Sequence, residues 1–278
     1  MSVKPRKESI DDVLAKMAAV HRTYRISHLN LGTFNFPSPQ IFETILFDTI
    51  LKCNLECVYC HNPRFDGSVK EEDFLHFINT QVKAIGNFQF GCAMEPTMDA
   101  RLTRFIEILS KSHAKPNADF RIQTNGTLLH KQDINAWKDL GVNMMSISID
   151  TLNPKLHQEL RGGSNLDQIL KNIKIIRKKW SNLRIWIVAT VNKKNIGGIK
   201  KLIKYAIDSG INGIELRRMY HFPTSKIIQN HKKMSTLTIS NGEFTNMAYL
   251  VEEKFGGQIE FYINDEVSIS NEIKKQVT

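Results

Sequence analysis

From Thr44 onward the chain alternates two hydrophobic patterns. Short runs rich in β-branched and aromatic residues lie at 44–51 (TILFDTIL), 88–92, 119–125, 143–150, 183–192 and 213–219. Their length and composition predict strands. Between them, at 70–85, 99–113, 131–140, 154–161 with 165–181, and 195–209, apolar residues recur every three to four positions. That spacing predicts amphipathic helices. In ARLTRFIEILSKS, Leu102, Phe105, Ile106 and Leu109 fall on one stripe. Gly141, Gly210 and Gly213 stand in the turns after helices, where a left-handed residue is wanted.

Six strand–helix units imply an α/β fold with a parallel sheet and right-handed crossovers. A closed eight-unit barrel usually takes about 250 residues. Residues 44–219 are too few for that. A partial barrel and a doubly wound sheet both fit, and the expected architecture is a partial (β/α)6 TIM-like barrel. In either, ligands gather at the C-terminal ends of the strands. The expected division is an N-terminal extension over 1–43, a core barrel over 44–220 and a C-terminal extension over 221–278. The first holds a helix at 10–24 and a loop at 30–40. The last is α/β: an irregular connection over 221–240, a helix at 241–255, a strand at 258–265 and a frayed tail.

The chain of 278 residues is 41% apolar and 24% charged, as in an ordinary globular protein. No apolar run approaches the roughly 18 residues of a membrane span, and the first residues carry no apolar stretch typical of a secretory signal. A cytoplasmic protein without membrane contact is expected. The net charge of +10 suits a polyanionic partner or an acidic substrate. Much of the excess sits in predicted helices, as in KNIKIIRKKW, and reads as solvated helix faces before it reads as a nucleic-acid groove. No zinc-finger, RNA-recognition or helix-turn-helix signature supports a groove.

Three of the four cysteines, Cys53, Cys57 and Cys60, fall within eight positions. A disulfide framework would want an even set and an oxidising compartment. Structural zinc wants four ligands, and here only the adjoining His61 or the distant Cys92 could complete them. A redox C-x-x-C pair leaves Cys53 unexplained, and scattered core cysteines fit poorly with a loop that continues into Asn62-Pro63. Iron–sulfur ligation explains the number: three thiolates hold three irons of a 4Fe–4S cluster and leave the fourth open to a ligand.

C-x3-C-x2-C with the aromatic Tyr59 before its last cysteine resembles the signature of the radical S-adenosylmethionine (radical SAM) superfamily. The resemblance implies a 4Fe–4S cluster on Cys53, Cys57 and Cys60, with SAM on the open iron. Reductive cleavage of SAM would give a 5′-deoxyadenosyl radical that abstracts hydrogen from the substrate. An electron donor such as flavodoxin or ferredoxin is implied as a partner. Later strand ends match in order over about 44–219. FGCAMEPTMD is similar to the family's Gly-Gly-Glu-Pro segment, although two extra residues intervene. It offers Gly91 and Cys92 as backbone contacts and Glu95 as the contact of the SAM amino group. Cys92 reads as a small apolar residue beside the cofactor, since a fourth thiolate would close the open iron. Thr124 and Asn125 match the third strand end, and Ser148 and Asp150 the fourth, where the resemblance implies that they face SAM ribose or substrate. Arg161 is the candidate for the SAM carboxylate, Asn192 for ribose or methionine, and Leu216 for adenine. Arg217, Arg218, Tyr220 and His221 could bind an anionic substrate group. No cysteine follows Cys92, so a thiolate-ligated auxiliary cluster is not expected. The implied function is a radical SAM enzyme acting on a peptide or small biosynthetic metabolite. The alternative within the class is a nucleotide or nucleic acid, and outside it a non-catalytic iron–sulfur or zinc protein.

Overall fold

The computed structural model describes residues 23–26, 36–60, 66–221 and 231–264. Their strands, in chain order, are β1 (Thr23–Ile26), β2 (Gln40–Phe47), β3 (Glu56–Cys57), β4 (Val82–Phe90), β5 (Phe120–Thr124), β6 (Met144–Ser148), β7 (Arg161–Gly162), β8 (Arg184–Val191), β9 (Gly213–Arg218) and β10 (Glu260–Asn264). Their helices are α1 (Glu71–Gln81), α2 (Leu102–Ser110), α3 (Ile134–Asp139), α4 (Pro154–Leu160), α5 (Leu166–Lys179), α6 (Ile199–Asp208), α7 (His231–Ser235) and α8 (Asn241–Phe255). Among the described residues no helix is long and apolar enough to cross a membrane. Two compact units emerge. One takes in the described residues through Lys52, those from 66 to 123, and Asp133–Asn143. The other takes in Cys53 to Cys60, Thr124–Gln132 and the described residues from Met144 on.

In the first unit β1, β2, β4 and β5 pair in parallel, with Thr23 opposite Thr44, Ile45 opposite Phe88 and Phe88 opposite Phe120. A strand buried on both faces reads as a near-continuous apolar run, and β4 does. The helix expected over 70–85 stops at Gln81, and Val82 is already extended. Val82 and Ile85 are buried and pair with Gln40 and Phe42 of β2, so the β-branched pair goes to the sheet. The strand expected at 44–51 lies four residues earlier, because Asp48 ends it by turning its carboxylate onto a neighbouring loop. Phe47, Phe74, Phe88, Phe90 and Phe105 are wholly buried, with ring centroids 4.7 to 6.4 Å apart. The predicted stripe of α2, Leu102, Phe105, Ile106 and Leu109, is buried as expected. Strand β1 takes Thr23 and Tyr24, the last two residues of the helix expected at 10–24; the rest of that segment, the loop up to Asn35 and the tail lie outside the described residues.

In the second unit β6, β8, β9 and β10 form a parallel set, with Met144 opposite Arg184, Trp186 opposite Gly213 and Ile263 opposite Leu216. The strand expected near the C-terminus is therefore β10. Helix α4 begins as its Asn-Pro predicts, with Asn153 accepting from Leu156 N and Pro154 in the first turn. Helix α8 opens on a reciprocal capping box between Ser240 and Glu243. The connection over 221–240 contains α7; residues 222–230 lie outside the described set.

Candidate metal centre

The cysteine loop occupies the second unit. Two residues of it, Glu56 and Cys57, pair antiparallel with Gly162 and Arg161, a ribbon too short to leave a strand pattern in the sequence. Val58 N donates to Leu160 O at 2.9 Å, and the Val58 side chain is buried with Leu160, Met219, Met234 and Leu237. Cys60 N donates to Cys57 O at 3.1 Å. The alternation thus buries Val58 and leaves Cys53, Cys57 and Cys60 half-buried and outside any disulfide.

Tyr59 is the second anchor. Its hydroxyl donates to Asp150 Oδ2, and its ring packs against the apolar cluster. Asp150, 0% exposed, also accepts from Arg161 Nε at 2.8 Å, Arg161 Nη2 at 3.0 Å and Thr190 N at 2.9 Å. The Arg161 guanidinium lies 5.6 Å from the Tyr59 ring centroid. Burial pushes the Cys57 thiol up to about 11; Arg161 pulls it down, while Asp150 and the other two cysteines push it further up. Burial likewise raises Tyr59 well above 10, with Asp150 adding to it and Arg161 opposing it. Burial would lower Arg161, but Asp150, Tyr59 and Cys57 outweigh it and hold the guanidinium well above its usual value.

On the other side of Cys53, Asn54 Oδ1 accepts from Asn125 Nδ2 at 2.8 Å and Asn54 Nδ2 donates to Thr127 Oγ1 at 3.0 Å. Asn125 Oδ1 accepts from Thr127 N and Oγ1. Thr124 Oγ1 accepts from Gly126 N, and Gly126 has φ +78 with no room for a Cβ against Ile147. The predicted Thr-Asn-Gly turn therefore holds the cysteine loop. Asn54 and Thr127 were missed as partners; only the position of Asn54 directly after Cys53 hinted at one. Ser148 is half-buried at the end of β6. Asn192, wholly buried, shapes the turn after β8 by accepting from Lys194 N and donating to Thr190 O. Leu216 is buried within β9. Arg217 pairs with buried Glu215 at 2.6 Å, and Arg218 stacks 4.6 Å from the Tyr220 ring centroid.

Gly91, Cys92 and Glu95 belong to the first unit. Gly91 has φ +84, and a Cβ there would strike Gln123 O. Cys92, Ala93 and Met94 all donate backbone N–H to the Asp48 carboxylate, at 2.8 to 3.2 Å. Three successive amides around one carboxylate form an anion nest. Asp48 thereby shapes the two residues by which this segment exceeds the family pattern. Glu95 is 2% exposed and caps the next turn through Thr97 N at 3.1 Å and the Thr97 hydroxyl.

Among the described residues no three His, Cys, Asp or Glu side chains converge where one ion could bind. A cluster asks for something else, one thiolate for each of three irons. Three half-buried cysteines outside any disulfide, on a loop tied at both ends, fit that demand.

Residues 48–214 match the family model described as Radical SAM superfamily. A protein of Methanococcus maripaludis strain C5, named a probable GTP 3′,8-cyclase, is 30% identical over 173 residues, 55% of this chain and 56% of that one. One of Methanococcus aeolicus with the same name is 27% identical over 232 residues, 76% of this chain and 73% of that one. The chain thus spans little more than half the length of the first. Among solved structures, SuiB of Streptococcus suis bound to S-adenosylmethionine superposes with a TM-score of 0.60 at 16% identity, over 85% of this chain and 53% of that one. This likeness shows the α/β fold of a partial TIM-like barrel.

Proposed function

The chain belongs to the radical SAM superfamily, and from that premise we propose that the substrate of this radical SAM enzyme is a nucleotide. The observation that carries the proposal is the alignment of up to three quarters of the chain with proteins named for action on GTP. The peptide or small metabolite first expected from the sequence gives way to the nucleotide, because the curated relatives carry a nucleotide in their name.

The cofactors are a 4Fe–4S cluster and SAM; bound together, they supply a 5′-deoxyadenosyl radical for hydrogen abstraction. On our reading Cys53, Cys57 and Cys60 give the thiolates. Val58 and Leu160 keep the loop from closing on itself by burying its apolar residue. Ser148 offers a hydroxyl at a strand end, and Arg218 a cation at the end of β9 that suits a phosphate.

Anaerobic reconstitution with iron and sulfide, followed by reductant, SAM and a panel of substrates, tests the reading. Yield of 5′-deoxyadenosine is measured for each nucleoside triphosphate, for nucleosides and for short peptides. At least one nucleotide should raise the yield severalfold above the substrate-free rate. A rise with peptides alone would overturn the nucleotide and restore the earlier expectation.

A further inference from the structure

We propose that Tyr59, Asp150 and Arg161 are positioning residues that hold the Cys57–Cys60 half of the loop in its ligating geometry before the cluster is inserted. The inference rests on these cysteines being the cluster ligands, and on nothing about the substrate.

The argument begins with Asp150. A carboxylate has about four acceptor positions. Here Oδ1 takes Thr190 N and Arg161 Nη2, while Oδ2 takes Arg161 Nε and the Tyr59 hydroxyl. Its backbone is fixed as well, since Asn195 Nδ2 donates to Asp150 O at 3.0 Å. The carboxylate is full, wholly buried and tied to the end of β8. It has no acceptor position left for a ribose hydroxyl.

Arg161 is also committed. It is 7% exposed, forks onto Asp150 with two nitrogens, and its backbone pairs with Cys57. Arg161 therefore joins the cysteine strand, through its backbone, to Asp150, through its guanidinium. Tyr59, two positions beyond Cys57 and one before Cys60, is gripped by the same carboxylate. A buried ion pair adds little net stability over an apolar pair, but it permits few alternative geometries. That property suits a loop whose thiols must wait, spread apart, for an inorganic cluster. On this reading Asp150 and Arg161 form a scaffold behind the cysteines instead of the SAM contacts that the resemblance implies.

The test uses the cluster-free chain first. Hydrogen exchange of the amides of residues 56–60 is measured for the wild type and for Tyr59→Phe, which removes one hydroxyl and leaves the Asp150–Arg161 pair. Exchange should quicken at least fivefold in the variant. After reconstitution, iron per chain should fall at least twofold or assemble at least fivefold more slowly. Asp150→Asn strands the Arg161 charge and risks misfolding, so the neutral pair Asp150→Asn with Arg161→Gln serves as the second variant. It should fold by circular dichroism and show the same fast exchange at 56–60. Wild-type exchange and wild-type iron uptake in both variants would overturn the proposal. So would normal iron uptake with only the SAM-induced change in the cluster's electron paramagnetic resonance spectrum lost, since that pattern belongs to residues contacting SAM. None of these readouts needs a substrate, so a wrong nucleotide assignment leaves them intact.

Discussion

His157 shows what burial does to one side chain. It lies wholly buried on α4, with Nε2 against Ser164 Oγ at 2.9 Å and Nδ1 without a hydrogen-bond partner among the described residues. Burial, aided by the Arg161 charge, lowers its pKa to about 4 from 6.5. The unfolded chain therefore binds the proton first as pH falls. Stability tied to His157 is intact above about pH 6.5 and is lost down to about pH 4, roughly 2 kcal/mol of it by pH 5. Urea unfolding of His157→Gln should show a shallower loss between pH 7 and pH 5 than the wild type. The cysteines give a second prediction at this scale. Cys57→Ser should reconstitute with little or no 4Fe–4S absorbance, whereas Cys92→Ser should take up iron as the wild type does. Loss of iron in the Cys92 variant would make it a ligand after all.

Among elements, the two-residue ribbon of β3 and β7 has the largest consequence for its size. Gly162 faces Glu56 so closely that a Cβ would sit 2.9 Å from Glu56 O and 3.3 Å from its Cβ. Something must shift to admit a side chain there, and the oxygen it meets is backbone. Gly162→Ala should push the ribbon apart and lower iron per chain after reconstitution, while melting of α4 and α5 by circular dichroism stays close to wild type. The helices themselves follow local rules. Asn153, Asn165 and Ser240 cap α4, α5 and α8 through their side chains. Where local preference and sheet pairing compete, as at Val82 to Ile85, pairing prevails, because extending α1 would leave the β2 edge without partners.

For the whole molecule, charge is concentrated in one stretch. Residues 165–209 carry eleven Lys or Arg and two Asp, nearly the entire excess of the chain. On α5, Lys171, Lys174 and Lys178 are exposed and lie three and four positions apart. Like charges at those spacings repel by a few tenths of a kcal/mol per pair, and salt screens them. Replacing all three by Gln lowers the net charge from +10 to +7. Thermal unfolding at low salt should then rise slightly, the gain should vanish at high salt, and the 5′-deoxyadenosine yield should not change. A loss of yield would mark this face as functional rather than solvated.

The sequence by itself determined the alternation of strands and helices, the apolar stripe of α2, the caps, and the three-cysteine loop with its tyrosine. These are local: periodicity, turn chemistry and spacing are written within a few residues of one another. Tertiary structure decided what the polar residues near the cysteines do. Asp150 and Arg161 are eleven positions apart and Tyr59 lies ninety-one before Asp150, so only folding brings the carboxylate between guanidinium and phenol. It also decided that Asn54 meets Asn125 and Thr127, and that Asp48 gathers the amides of Cys92 to Met94. A buried polar group must find its partners wherever the fold offers them, and neither periodicity nor spacing encodes a partner so far along the chain.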